Sequence, residues 1–171
     1  KEHKRAGLEE YLESRPDAEF IPNSDNPEDG HAVWRIPAEA AFPCATQNEL
    51  TRADAEALIA NGVHCVCEGA NMPSTADAVD VFLEARIAYG PGKAANAGGV
   101  ATSQLEMQQN AALNRWPMSQ VEEQLKTIMA DIYRRASDAA REFGEPDNLV
   151  MGANIAGFRR VADAMIEQGV T

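Results

Sequence analysis

The residues whose types and spacing could do chemistry are concentrated in Tyr89-Gly90-Pro91-Gly92-Lys93-Ala94-Ala95-Asn96-Ala97-Gly98-Gly99-Val100-Ala101-Thr102-Ser103. An apolar run, Arg86 to Tyr89, meets a Pro/Gly corner, crosses small residues and enters a helical pattern. Its glycines let a backbone approach a ligand closely, and open α/β sheets hold ligands at such corners, at the carboxyl ends of their strands. Asn96 and Ser103 lie seven residues apart, two helical turns, so they share one face of the helix that starts there. The pair could present an amide and a hydroxyl to a polar ligand. It could equally be an N-terminal cap and a buried serine bonded to a carbonyl.

The other candidates are weaker. Gly90-Pro91-Gly92-Lys93-Ala94-Ala95 fits the loose pattern G-x-G-x-x-A, but a dinucleotide fingerprint opens the first strand-to-helix unit, and here two strands precede it. That position argues against a pyrophosphate role. Lysine occurs only at positions 1, 4, 93 and 126; Lys93, in the glycine-rich bend, could hold an anion or cap nearby carbonyls. Cys65 and Cys67 share one face of a strand, and with no histidine at ligand spacing they read as core residues rather than a metal site. No nucleophile, base and orienting acid stand in a recognisable arrangement.

The elements that must position these residues follow from periodicity. Residues Glu2 to Ser14 form a short helix stopped by Arg15-Pro16, Phe20-Ile21 a brief strand, and Pro22 to His31 an acidic loop. Apolar strands are expected at Ala38 to Cys44, Val63 to Val66 and Arg86 to Tyr89. Between them run helices, the first capped by Thr51 with Asp54 three residues on and ended by Asn61-Gly62, the second capped by Ser74 or Thr75 and reaching Ala85. Three helices follow: Ala97 to about Asn114, a long one entered through a Ser119/Glu122 capping box and reaching about Phe143, and Met151 to Gln168. The fold class is therefore α/β: an incomplete Rossmann-like parallel sheet with helical crossovers, followed by C-terminal helices.

Composition bounds the partners. With 171 residues the chain is one domain. Fifteen basic against 27 acidic residues give a net charge of −12, which repels phosphate backbones and anionic lipid, so neither nucleic acid nor a membrane is an expected partner. Three cysteines without a Cys-x-x-Cys, and no apolar signal region behind the basic start, point to the cytoplasm. The chain opens inside a helical pattern and is expected to be part of a longer protein.

Three strand-end segments, Pro43-Cys44-Ala45-Thr46-Gln47-Asn48-Glu49-Leu50, Glu68-Gly69-Ala70-Asn71-Met72-Pro73 and Pro91 to Ser103, together with Gly152-Ala153-Asn154-Ile155-Ala156-Gly157-Phe158, resemble the C-terminal part of hexameric, NADP-type glutamate dehydrogenases. The resemblance runs from about Ala38 to Gln168. It implies a reversible oxidative deamination of L-glutamate to 2-oxoglutarate and ammonia, with NADP as coenzyme and NAD as the alternative, in a homo-hexamer serving nitrogen assimilation. Residues 1–171 would be the distal part of the coenzyme-binding domain. Ala45, Thr46, Asn71 and Asn96 match coenzyme-binding positions; Ser103 and Val100 match substrate-binding positions, Ser103 that of the serine at the substrate's side-chain carboxylate. The related leucine, valine and phenylalanine dehydrogenases share Asn-Ala-Gly-Gly and depart after it. The family's catalytic lysines and aspartate, and its phosphate-binding glycine loop, have no counterpart here, so the chain alone is expected to be inactive. The alternative is a non-catalytic nucleotide-binding or subunit-interaction module.

Overall fold

The computed structural model describes residues 8–170. The first helix, α1, covers Leu8–Ser14; residues 2–7 of the expected helix lie outside the described residues. Phe20-Ile21 forms no strand, because Pro22 removes a ladder donor and nothing pairs with so short a run. The segment after it instead makes two 3-10 turns, Asn23–Asp25 and Ala32–Arg35.

The sheet has three parallel strands in the order β1 (Ala40–Ala41), β2 (Cys65–Cys67), β3 (Ala88–Gly90). Each differs from its expected span for a local reason. Pro37 and Pro43 bracket β1 and shorten it. Val63 N–H is bonded to Leu58 O at 3.0 Å, so that residue closes the turn after α2 (Arg52–Ala60), where Gly62 has φ +88°. Arg86, with φ +54° and its N–H on Leu83 O, likewise ends α3 (Ala76–Glu84).

Register places Ala41, Val66 and Tyr89 side by side, all buried, on the face that α2 and α3 cover. They form one core with Leu50, Leu58, Val63 and Phe82, in which the Phe82 and Tyr89 rings stack at 5.4 Å. Helix α2 starts as its sequence requires: Thr51 and Asp54 form a reciprocal capping box. Thr75 occupies the N-cap of α3 without a side-chain cap bond. Cys65 and Cys67 lie on the opposite face and are half-buried rather than in the core.

Past β3 the chain makes a single helical turn, α4 (Gly92–Ala95), in place of the expected loop, then α5 (Ala97–Ala111). Helix α6 (Met118–Glu142) begins two residues earlier than a Ser119 cap would allow: Pro117 fixes the entry and no side chain caps it. Helix α7 (Leu149–Glu167) is capped by Asn148, whose Oδ1 accepts Met151 N–H at 3.0 Å. In α6 Tyr133 is exposed; the buried positions are the small residues Ala136, Ser137, Ala139 and Ala140, where α7 crosses.

Candidate functional site

Parallel strands deliver their following loops to one edge of the sheet. The loop after β2 brings Gly69-Ala70-Asn71 there, and the α4 turn after β3 brings Asn96, with the first turns of α5 behind it. Together they line an open cleft of about 360 Å³ formed by Gly69, Ala70, Asn71, Asn96, Gly99, Val100 and Ser103. Four of the six expected site residues, Asn71, Asn96, Val100 and Ser103, meet in this one place.

Asn96 stands between α4 and α5, yet its side chain makes no cap bond. Its Nδ2 donates instead to Ala70 O at 3.0 Å and Asn71 Oδ1 at 2.8 Å. That leaves one amide donor, Asn71 Nδ2, and one acceptor, Asn96 Oδ1, without partners among the described residues. A donor beside an acceptor complements another carboxamide. Ser103 is exposed rather than buried, and its Oγ donates to Gly99 O, one turn back, at 3.2 Å. Val100 beside it is 66% exposed. Ala45 and Thr46 are exposed in the loop after β1 and do not line the cleft. Their loop runs next to it: Gly69 N–H donates to Pro43 O at 2.9 Å, and a side chain at Gly69 would collide with Cys44 Sγ.

The glycine corner holds the protein's own anion. Gly92 N–H donates to Glu68 Oε2 at 2.6 Å, and Glu68 Oε1 accepts Ser74 N–H at 3.2 Å. Glu68 is 4% exposed. The amide at the start of α4 is therefore already taken by a carboxylate. A Cβ at Gly92 would lie 2.7 Å from Ala70 O and 3.0 Å from Glu68 Oε2, so only glycine fits. Burial, then contact with the Glu68 carboxylate, pushes the Tyr89 phenol well above its ordinary range. Sequence reasoning passed over Glu68. The available signal was an acidic residue closing an apolar strand, since buried carboxylates need partners.

Lys93 reaches no nearby main-chain carbonyl: its Nζ donates to Asn154 Oδ1 at 2.6 Å, joining α4 to α7. The cleft lining contains no titratable side chain, and no cluster among the described residues could hold a metal ion. The arrangement can bind and orient a polar ligand; it has no acid or base of its own.

The chain matches the model of the Glutamate/Leucine/Phenylalanine/Valine dehydrogenase family over residues 1–169. The NADP-specific glutamate dehydrogenase of Helicobacter pylori is 53% identical over 170 residues, 99% of this chain and 38% of that protein. The enzyme of the same description from Escherichia coli is 54% identical over 142 residues, 83% of this chain and 32% of that protein. The chain thus spans 38% and 32% of the length of these two relatives. A crystal structure of Plasmodium falciparum glutamate dehydrogenase superimposes with a TM-score of 0.88 at 44% identity, over 96% of this chain and 34% of that one. The hetero-hexameric enzyme of Thermus thermophilus, at 23% identity over 97% of this chain and 38% of that one, shares the fold with a TM-score of 0.77.

Proposed function

The chain belongs to the glutamate/leucine/phenylalanine/valine dehydrogenase family, and from that premise we infer that it is the distal part of the coenzyme-binding domain of an NADP-linked glutamate dehydrogenase. The complete protein would interconvert L-glutamate with 2-oxoglutarate and ammonia. The observation that carries this reading is the meeting of Asn71, Asn96, Val100 and Ser103 in one cleft at the strand ends. Names of the relatives support the choice of glutamate and NADP.

The residues present fit the coenzyme's nicotinamide end. The free donor on Asn71 and the free acceptor on Asn96 suit a carboxamide and ribose hydroxyls, with Ala45 and Thr46 on the neighbouring loop. When bound, the coenzyme supplies the hydride acceptor or donor. Ser103 serves the substrate's side-chain carboxylate: its hydroxyl leaves the long bond to Gly99 O and donates to the anion, while Val100 packs against the methylenes. Proton transfer and carbonyl polarisation need groups that this cleft does not contain, so they fall to the rest of the protein. The 171-residue chain alone is accordingly inactive.

The same reading carries a homo-hexameric assembly, a role in nitrogen assimilation and a cytoplasmic setting, the last supported by three free thiols. No helix is long and apolar enough to cross a membrane among the described residues. A subunit-interaction role is favoured by one observation: Phe158, Val161 and Ile166 on α7 are 72%, 59% and 67% exposed. The test is glutamate-dependent reduction of NADP by the complete protein, with light scattering for its assembly. An inactive complete protein, or an active isolated chain, overturns the assignment.

A further inference from the structure

Two carboxylates are buried among the described residues, Asp54 and Glu68. Asp54 has a local explanation, since it caps α2. Glu68 caps nothing on its own strand. It instead collects N–H groups from two separate segments, Ser74 on the loop after β2 and Gly92 at the start of α4. No lysine, arginine or histidine of the described residues pairs with it, so its attachments are hydrogen bonds to main chain. The bond from Gly92, at 2.6 Å, is the shorter of the two.

The second end of the same connection is Asn96, four residues after Gly92, which donates back to Ala70 O and Asn71 Oδ1. The Asn71 loop and α4 are therefore tied at two points, at the base by Glu68 and at the mouth by Asn96. Gly92 allows the close approach, because a Cβ there would press on both Ala70 O and Glu68 Oε2. We propose that Glu68 is a positioning residue whose carboxylate sets the Asn71 loop against α4 and so brings Asn71 and Asn96 into register at the cleft. This rests on the reading that the cleft receives the nicotinamide end of the coenzyme.

Glu68→Gln is the discriminating change. It keeps the size of the side chain but replaces one acceptor with an NH2 group, which must then face either Ser74 N–H or Gly92 N–H, donor against donor. Two readouts are taken on the complete protein: hydrogen exchange of the peptides covering Ser74 and Gly92, and the Kd for NADPH by fluorescence titration. Asp54→Asn, which removes a buried carboxylate remote from the cleft, is the control for simple loss of stability. In Glu68→Gln we expect protection at Gly92 or Ser74 to fall about tenfold and NADPH binding to weaken about tenfold, with glutamate-independent NADPH binding unchanged in Asp54→Asn. Unchanged NADPH affinity in Glu68→Gln, or an equal loss in the control, overturns the proposal. Should Glu68→Gln not fold, Gly92→Ala separates the same two segments from the other side and must give the same pair of losses. If the unsubstituted protein binds no NADPH, the functional reading fails by itself; exchange then decides the tie, retained protection in Glu68→Gln refuting it and lost protection upholding it.

Discussion

Asn96 donates its side-chain amide to the Asn71 side-chain carbonyl across 2.8 Å, joining two loops that are 25 residues apart in the chain. The same amide reaches Ala70 O at 3.0 Å. Asn96→Ala loses both bonds and strands a part-buried backbone carbonyl, whereas Asn71→Ala loses one bond from an exposed side chain. The expected costs are about 1–2 kcal/mol for Asn96→Ala and about 0.5 kcal/mol for Asn71→Ala. The double variant should cost less than the sum, because both singles remove the shared bond. Urea denaturation of the four proteins checks this, and strictly additive, equal costs would mean the bond does not form.

Ser103 separates binding from stability. Its hydroxyl is exposed and held only by the 3.2 Å bond to Gly99 O, so Ser103→Ala should change stability by no more than about 0.5 kcal/mol. In the complete enzyme the glutamate KM should rise about tenfold or more, the loss expected for a hydrogen bond to a charged group, with the coenzyme KM unmoved. Steady-state kinetics with each substrate varied in turn decide it; an unchanged glutamate KM removes Ser103 from the substrate site.

Much of this arrangement was legible from local pattern, and what was missed has a common cause. Periodicity and caps located every sheet strand and crossover helix, and the Thr51/Asp54 box formed as written, because those signals lie within a few residues. Asn71, Asn96, Val100 and Ser103 converge because parallel strands carry their loops to one edge. Glu68 to Gly92 and Lys93 to Asn154 span 24 and 61 residues. Nothing local marks such partners, so the anion at the glycine corner and the attachment of Lys93 were invisible. Strand limits shifted where a helix-ending turn consumed an N–H that periodicity assigned to the ladder, as at Val63 and Arg86.

Acid should loosen the segment that covers α2. Asp54 is buried, which raises its pKa, but hydrogen bonds from the backbone and side chains of His31 and Thr51 outweigh burial and hold the carboxyl below its ordinary range. A group whose folded pKa is depressed stabilises the fold fully above its unfolded value, about 3.9 for aspartate, and loses that contribution as pH falls through the lower folded value. Stability should thus be flat in this respect above about pH 4 and drop below it. Asp54→Asn should cost about 1–3 kcal/mol at neutral pH and show a shallower acid limb. Urea midpoints measured across that range test both; parallel acid limbs in the two proteins would remove Asp54 as the group responsible.

Two glycines of α7 should respond to alanine with opposite signs. At Gly152 the helix crosses α6 so closely that a Cβ would overlap the Ala136 carbonyl and lie 2.9 Å from Ala140 Cβ. Main chain cannot yield by changing rotamer, so the helices must part. The overpacking cost, about 1–3 kcal/mol, exceeds the gain of about 1 kcal/mol that alanine brings to a helix interior. At Gly157 nothing lies within 4 Å of the added carbon, and the propensity gain stands alone. Gly152→Ala should therefore lower Tm by several degrees and Gly157→Ala raise it by about 2–4 °C. Separation at Gly152 also carries Asn154, two residues on, away from Lys93, so exchange at α4 should quicken in that variant and stay unchanged in the other. Shifts of the same sign at both positions would show that α6 and α7 do not meet at this glycine.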